Sequence, residues 1–265
     1  MVFAAGSLLA VLVSVVVIPL GVVVAGSLFE THLLGLSSES WRGNGGSPAA
    51  WFSYVFALYG RQLGRSAFLA GIVVILSFLI GAPAAYGLTR APGWPRRLLR
   101  AGLDAPLAVP GLAVAIGLIL AYPRARASGL TLAAGHLLYA LPFFVRATSN
   151  ALTAIPLAEL EEAAAATGAG GFETFRRVIL PLAQPGVAAG ALMAFTISWG
   201  EFNVSFLLAT PTTQTFPLAL YLTYTTNSFP VAAAATTIFL AAAIPALALL
   251  QRIARPEAAG FGEAA

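Results

Sequence analysis

The sequence contains no cysteine and no lysine, and only 9% of its 265 residues are charged. Without cysteine there is no disulfide framework, no thiolate metal site and no thiol nucleophile. Without lysine the formal charge of +4 rests on fourteen arginines scattered over loops and segment ends, and no basic stripe suited to a nucleic acid is present. An ordinary soluble domain is about one quarter charged, so this chain has too little charge to cover a water-soluble body. There is no glycine-rich phosphate loop with lysine, so ATP binding by this chain is not expected. Nor is there an HExxH pattern, a Ser/His/Asp order or a carboxylate pair at the centre of an apolar run. No catalytic, cofactor-binding or metal-binding residue is therefore assigned, and an enzyme is not expected.

What is present is apolar: 59% of the residues are hydrophobic and the mean hydropathy is +0.87. Several runs reach the roughly 20 residues needed to cross a ~30 Å hydrocarbon layer as a helix. The expected fold class is an all-α polytopic membrane protein forming one transmembrane domain over residues 1–265, in contact with membrane lipid. Six spans are read at about Phe3–Ser27, Ser66–Thr89, Gly102–Tyr122, Leu130–Ser149, Gly186–Ala209 and Val231–Ile253. The first run has no arginine before Arg42 and is longer than a signal-peptide core, so it is expected to be a retained helix. In the polar segment that follows, the aromatic stretch Trp51–Phe56 reads as an interfacial belt.

Arginine placement gives the orientation. With the amino terminus inside, nine arginines face the cytoplasm: Arg90, Arg96, Arg97, Arg100, Arg146, Arg176, Arg177, Arg252 and Arg255. Five face outward: Arg42, Arg61, Arg65, Arg124 and Arg126. Both termini are then cytoplasmic, and residues 150–185 form the one long inside loop. It reads as two short helices, Leu157 to Thr167 and Phe172 to Ile179, parted by Gly168 and Gly170-Gly171 and stopped before Pro181.

This loop carries Glu162-Ala163-Ala164, three residues, Gly168, nine residues, then Val178-Ile179-Leu180-Pro181. It resembles the EAA motif of type I binding-protein-dependent ABC importer permeases, Glu-Ala-Ala, three residues, Gly, nine residues, Ile-x-Leu-Pro, with Val178 in place of Ile. The flanking Ile155-Pro156 and Glu159-Leu160-Glu161 fit the same pattern. The resemblance implies a permease subunit in a bacterial inner membrane, whose coupling helix (Glu162, Ala163, Ala164, Gly168, Leu180, Pro181) docks on a cytoplasmic ATPase dimer. It further implies a second permease, identical or homologous, an extracytoplasmic solute-binding protein, and ATP with Mg held by the partner ATPase. Trp199-Gly200-Glu201-Phe202 and the later Phe216-Pro217-Leu218 look like the branch serving polyamines, aminoethylphosphonate and ferric iron. Without the Gly168 and Leu180-Pro181 spacing, the same stretch would read as an acidic, alanine-rich surface helix.

Ionisable groups inside spans are candidates for function. Asp104 and Arg146 lie at matching depth near the inner ends of the third and fourth spans and are expected to form a structural pair. Ser198, Glu201 and Ser205 fall on one helical face, with Thr196 and Asn203 opposite. Glu201 lies roughly 12 Å from the outer end of its span and His136 roughly 9 Å from the outer end of its own. Ser198, Glu201, Ser205 and His136 are therefore the expected pathway residues, with His136 the expected partner of Glu201. The alternative function, an ion-gradient-driven secondary transporter, would call for inverted repeats and midplane carboxylates. It would leave the acidic loop unexplained.

Overall fold

The computed structural model describes residues 2–28, 48–227 and 229–254, with side chains over 13–28, 50–227 and 229–252. Arg42, Arg255 and most of the polar segment after the first run lie outside the described residues. Among those described the chain is helical, with no strand. Its helices are α1 (Val2–Leu28), α2 (Pro48–Arg90), α3 (Gly93–Ala108), α4 (Gly111–Ala121), α5 (Leu130–Thr153) and α6 (Leu157–Ala166). After them come α7 (Gly171–Leu182), α8 (Gln184–Gly200), α9 (Asn203–Leu208), α10 (Phe216–Thr226) and α11 (Phe229–Ala254).

Helices over Ala50–Arg90, Leu130–Thr153 and Phe229–Arg252 are long and apolar enough to cross a membrane on their own. Two further stretches qualify only as bent pairs. The third expected span is cut in two, α3 and α4 meeting at 103°. Val109 is extended (φ −104°, ψ 132°), the conformation forced on a residue that precedes proline, and Pro110 starts the new helix. The second pair is α7 with α8, meeting at 77°. Separately, the fifth expected span is interrupted near its outer end, because α8 ends at Gly200 and Glu201 leaves the helical region at ψ 116° before α9 begins.

The described residues form two compact units, one lying within residues 1–64 and 216–244, the other within residues 65–215 and 245–265. In the first, Trp51, Val55, Phe216, Val231, Ala234 and Ala235 build the core, and the Phe216 and Phe239 rings stack at 5.7 Å. Ser27 of α1 accepts a 3.2 Å hydrogen bond from Thr237 of α11. The aromatic stretch at the start of α2 is therefore not a simple belt: Trp51 and Val55 are buried while Tyr54 and Phe56 stay exposed. Alternation of buried and open positions around a helix produces that split.

In the second unit α5 and α8 form the central pair. Lipid tails are as apolar as leucine, so close packing holds such helices together, and small residues permit it. A Cβ added at Gly186 would sit 2.8 Å from the Ala147 carbonyl and collide with Ala151, and one at Gly190 would lie 3.0 Å from the Phe144 carbonyl. These glycines stand four apart on α8 and let its backbone lie directly on α5.

Candidate coupling and translocation site

The loop between α5 and α8 folds back sharply at Gly168, which has φ +81°, a left-handed value that only glycine adopts without strain. The Ala169 amide donates to the Ala164 carbonyl (3.1 Å) and the Gly168 amide to the Ala165 carbonyl (2.9 Å). This pair of bonds is a Schellman cap on α6. The second loop helix does not stop before Pro181. It starts as an α turn at Gly171–Thr174, widens into a π turn at Phe175–Ile179 and runs on through Leu180–Leu182. The wide turn just ahead relieves the clash that a proline ring makes with the preceding turn.

One side of the loop is anchored. Leu157 and Ile179 enter a buried cluster with Ala85, Leu88, Val145, Leu152 and Ala183. Glu161 accepts hydrogen bonds from Tyr86 and from Arg90 Nε (3.0 Å) and forms an ion pair with the Arg90 guanidinium. Tyr86 packs on Phe175 at 5.2 Å. Burial raises the Glu161 carboxyl, but the hydrogen bonds from Arg90 and Tyr86, helped by the Arg90 charge, outweigh it and hold Glu161 below the ordinary glutamate value. The opposite side is open: Glu159, Glu162, Ala163, Ala165 and Phe172 are exposed, and no ion pair engages Glu159 or Glu162 among the described residues. An exposed carboxylate face beside small alanines suits a groove bearing a partner's arginines. Of the sequence-assigned residues, Glu162, Ala163, Gly168 and Pro181 are exposed, and Ala164 and Leu180 are half-buried. Glu161, Leu157 and Tyr86 were missed as anchors. The one available signal was Arg90 closing a helix opposite an acidic loop.

Asp104 on α3 and Arg146 on α5 meet at 2.7 Å. They lie in the wall of a cavity of ≈ 330 Å³ that Leu88, Arg100, Leu103, Pro142, Val145, Ser149 and Asn150 complete.

His136 is not the partner of Glu201. Its ring is buried, with Nδ1 2.9 Å from Ser198 Oγ and Nε2 2.9 Å from Ser205 Oγ. Ser205 Oγ also lies 3.1 Å from the Glu201 carbonyl. One imidazole thus joins the two halves of the interrupted span. The Glu201 carboxylate instead accepts the Val204 amide at 2.8 Å, satisfying an orphan donor in the first turn of α9. An unbroken helix would leave no free amide at Val204; the break creates the one that claims this side chain. One turn along α5 from His136, Tyr139 donates to the Val109 carbonyl at the other break (2.7 Å). A Cβ on Gly111, at the start of α4, would lie 2.9 Å from Asn203 Cβ, at the start of α9. The two breaks are therefore neighbours, and both are fastened to α5. Discontinuous helices with adjacent breaks are how transporters place polar backbone at membrane depth.

Residues 77–258 match the family described as "Binding-protein-dependent transport system inner membrane component". A Streptomyces antibioticus protein named as an ABC transporter permease, ORF1, is 34% identical over 202 residues, covering 74% of this chain and 86% of its own. The spermidine/putrescine transport system permease protein PotC of Shigella flexneri is 35% identical over 127 residues, about half of either chain (48% and 48%). The molybdenum transport system permease protein ModB of Mycobacterium bovis is 32% identical over 188 residues, covering 64% and 70%. The fold is also that of a chain in a bacterial ABC transporter involved in the import of the acidic polysaccharide alginate, with TM-score 0.72, 15% identity and coverage of 97% of this chain and 96% of that one. With its all-helical fold and family match, the chain belongs to the binding-protein-dependent transport system inner membrane components, the permease subunits of ABC importers, in which the ATPase is a separate subunit.

Proposed function

We propose that this permease couples ATP use in a partner to solute movement through residues 150–185. The observation that carries the reading is the two-sided loop: a buried apolar root (Leu157, Ile179) beside the part-exposed Glu161–Arg90 pair, under an exposed face bearing Glu162, Ala163 and the Gly168 turn. ATP and Mg belong to the cytoplasmic ATPase dimer. A second permease, identical or homologous, completes the pathway, and an extracytoplasmic binding protein delivers the solute. Both termini are cytoplasmic, in a bacterial inner membrane. Leu180 and Pro181 direct the chain from the coupling loop into α8. Asp104 and Arg146 form a structural pair, and the break at Glu201, with Ser198, Ser205 and His136 behind it, borders the pathway.

The cargo is a small charged solute of the polyamine, aminoethylphosphonate or ferric-iron kind. Support comes from the likeness to a spermidine/putrescine permease, and the likeness to a molybdate/tungstate permease brings an oxyanion into range. Co-purification with the ATPase subunits tests the coupling: Glu162→Arg should abolish the association while the permease stays folded, and full retention would overturn the assignment. Stimulation of ATPase activity by spermidine, molybdate, aminoethylphosphonate and ferric ion, each with the cognate binding protein, identifies the cargo. Glu201→Gln should lower that stimulation and leave basal ATPase activity intact; unaltered stimulation would remove Glu201 from the pathway.

A further inference from the structure

The cavity beside Asp104 and Arg146 has a composition that the coupling and pathway readings do not use. Three polar side chains from α3 and α5 wall it besides the ion pair: Arg100, Ser149 and Asn150. Arg100 is exposed and enters no ion pair among the described residues, and Arg146 spends one nitrogen on Asp104, leaving further N–H donors of its fork available. Two guanidinium groups against one carboxylate leave the cavity with excess positive charge. The Ser149 hydroxyl in the wall is buried and has no hydrogen-bond partner. At ≈ 330 Å³ the space lies at the small end of ligand sites. Planar guanidinium forks match tetrahedral oxyanions in two-point contacts.

On α3 the same turns that send Arg100 and Asp104 to the cavity expose Trp94, Leu98 and Leu99, as on a helix lying in a membrane interface where lipid phosphates reside. Leu88 and Val145 wall the cavity and also belong to the cluster that holds Leu157 and Ile179. An occupant would therefore touch the root of the 150–185 loop.

We propose that this cavity binds a phosphate group, supplied by an anionic phospholipid headgroup or by free phosphate, through Arg100 and Arg146. The test uses the full-length permease with its ATPase subunits in nanodiscs. Thermal unfolding is followed in phosphatidylcholine with increasing inorganic phosphate, and in phosphatidylcholine against mixtures with phosphatidylglycerol. Stabilisation by phosphate in pure phosphatidylcholine identifies the free anion as a source, and stabilisation on adding phosphatidylglycerol identifies the lipid. Arg100→Gln removes a charge-assisted contact and should weaken the apparent affinity about tenfold. Asp104→Asn frees Arg146 and removes a repelling charge, so it should bind at least as tightly as the wild type. The proposal stands if the response to either source falls in R100Q and does not fall in D104N. Any other result, including no response to either probe, overturns it.

Discussion

Glu161 and Glu162 are adjacent in sequence, yet one is held by Arg90 and Tyr86 and the other is exposed and outside every ion pair among the described residues. Helical geometry turns neighbouring side chains about 100° apart, so adjacent carboxylates can serve an anchor and a docking face at once. Because the Glu161 carboxyl is held below its ordinary value of 4.5, its contribution is fully present above that value and lost as pH falls through the lowered folded value. Proteolysis at the Gly168 turn should therefore stay slow at neutral pH and quicken only below about pH 4.5, with Glu161→Gln removing this dependence. Arg90→Ala and Glu161→Ala should be non-additive, with a coupling of about 0.5–1 kcal/mol for a partly exposed pair in denaturant unfolding. His136 carries more. His136→Ala strands the buried Ser198 hydroxyl and opens a void, costing on the order of 2–4 kcal/mol, read as a lower melting temperature in detergent. His136→Asn, able to keep one of the two bonds, should recover part of it.

At the scale of elements, Gly168 and Gly186 do different work. Replacing Gly168 with alanine forces a left-handed residue at about 1 kcal/mol; it should loosen the α6 turn and reduce ATPase co-purification without unfolding the permease. Gly186→Ala drives a Cβ into the Ala147 carbonyl and Ala151, and should destabilise by about 1–3 kcal/mol, while Gly87→Ala, with open space around it, should be tolerated in the same melting assay. The sequence carried the helical class, the loop and its Gly168 turn in plain sight, because periodicity and glycine act locally. Pro106, Pro110-Gly111 and Gly117 suggest a kink in the third span, and the kink is there; its 103° size goes with packing against Tyr139 and Asn203, which no local pattern carries. The break at Glu201 has no proline, and its local signs are Gly200 at the end of α8 and a carboxylate able to cap the next turn. The anchoring of Glu161 escaped for a similar reason: its partners lie 71 and 75 residues away, beyond the reach of any periodic pattern.

For the whole molecule, the lack of cysteine makes orientation directly measurable. A single cysteine at Glu162 should react with a membrane-impermeant maleimide only in inverted vesicles, and one at Thr212 only in intact cells; the reverse pattern would invert the topology. Both interruptions, at Val109–Pro110 and at Glu201–Phe202, are tied to α5 by side chains one turn apart, Tyr139 and His136. A continuous helix bends over its whole length at a cost shared among many hydrogen bonds, whereas a severed one concentrates its compliance at the cut. This permease therefore has two elbows hung from one mast, with Tyr139 and His136 among the ties at each. Rotation at either break would leave the flanking helices intact, and it would have to part the Tyr139 or His136 hydrogen bonds together with the apolar cluster of Ala115, Leu132, Val204 and Leu208.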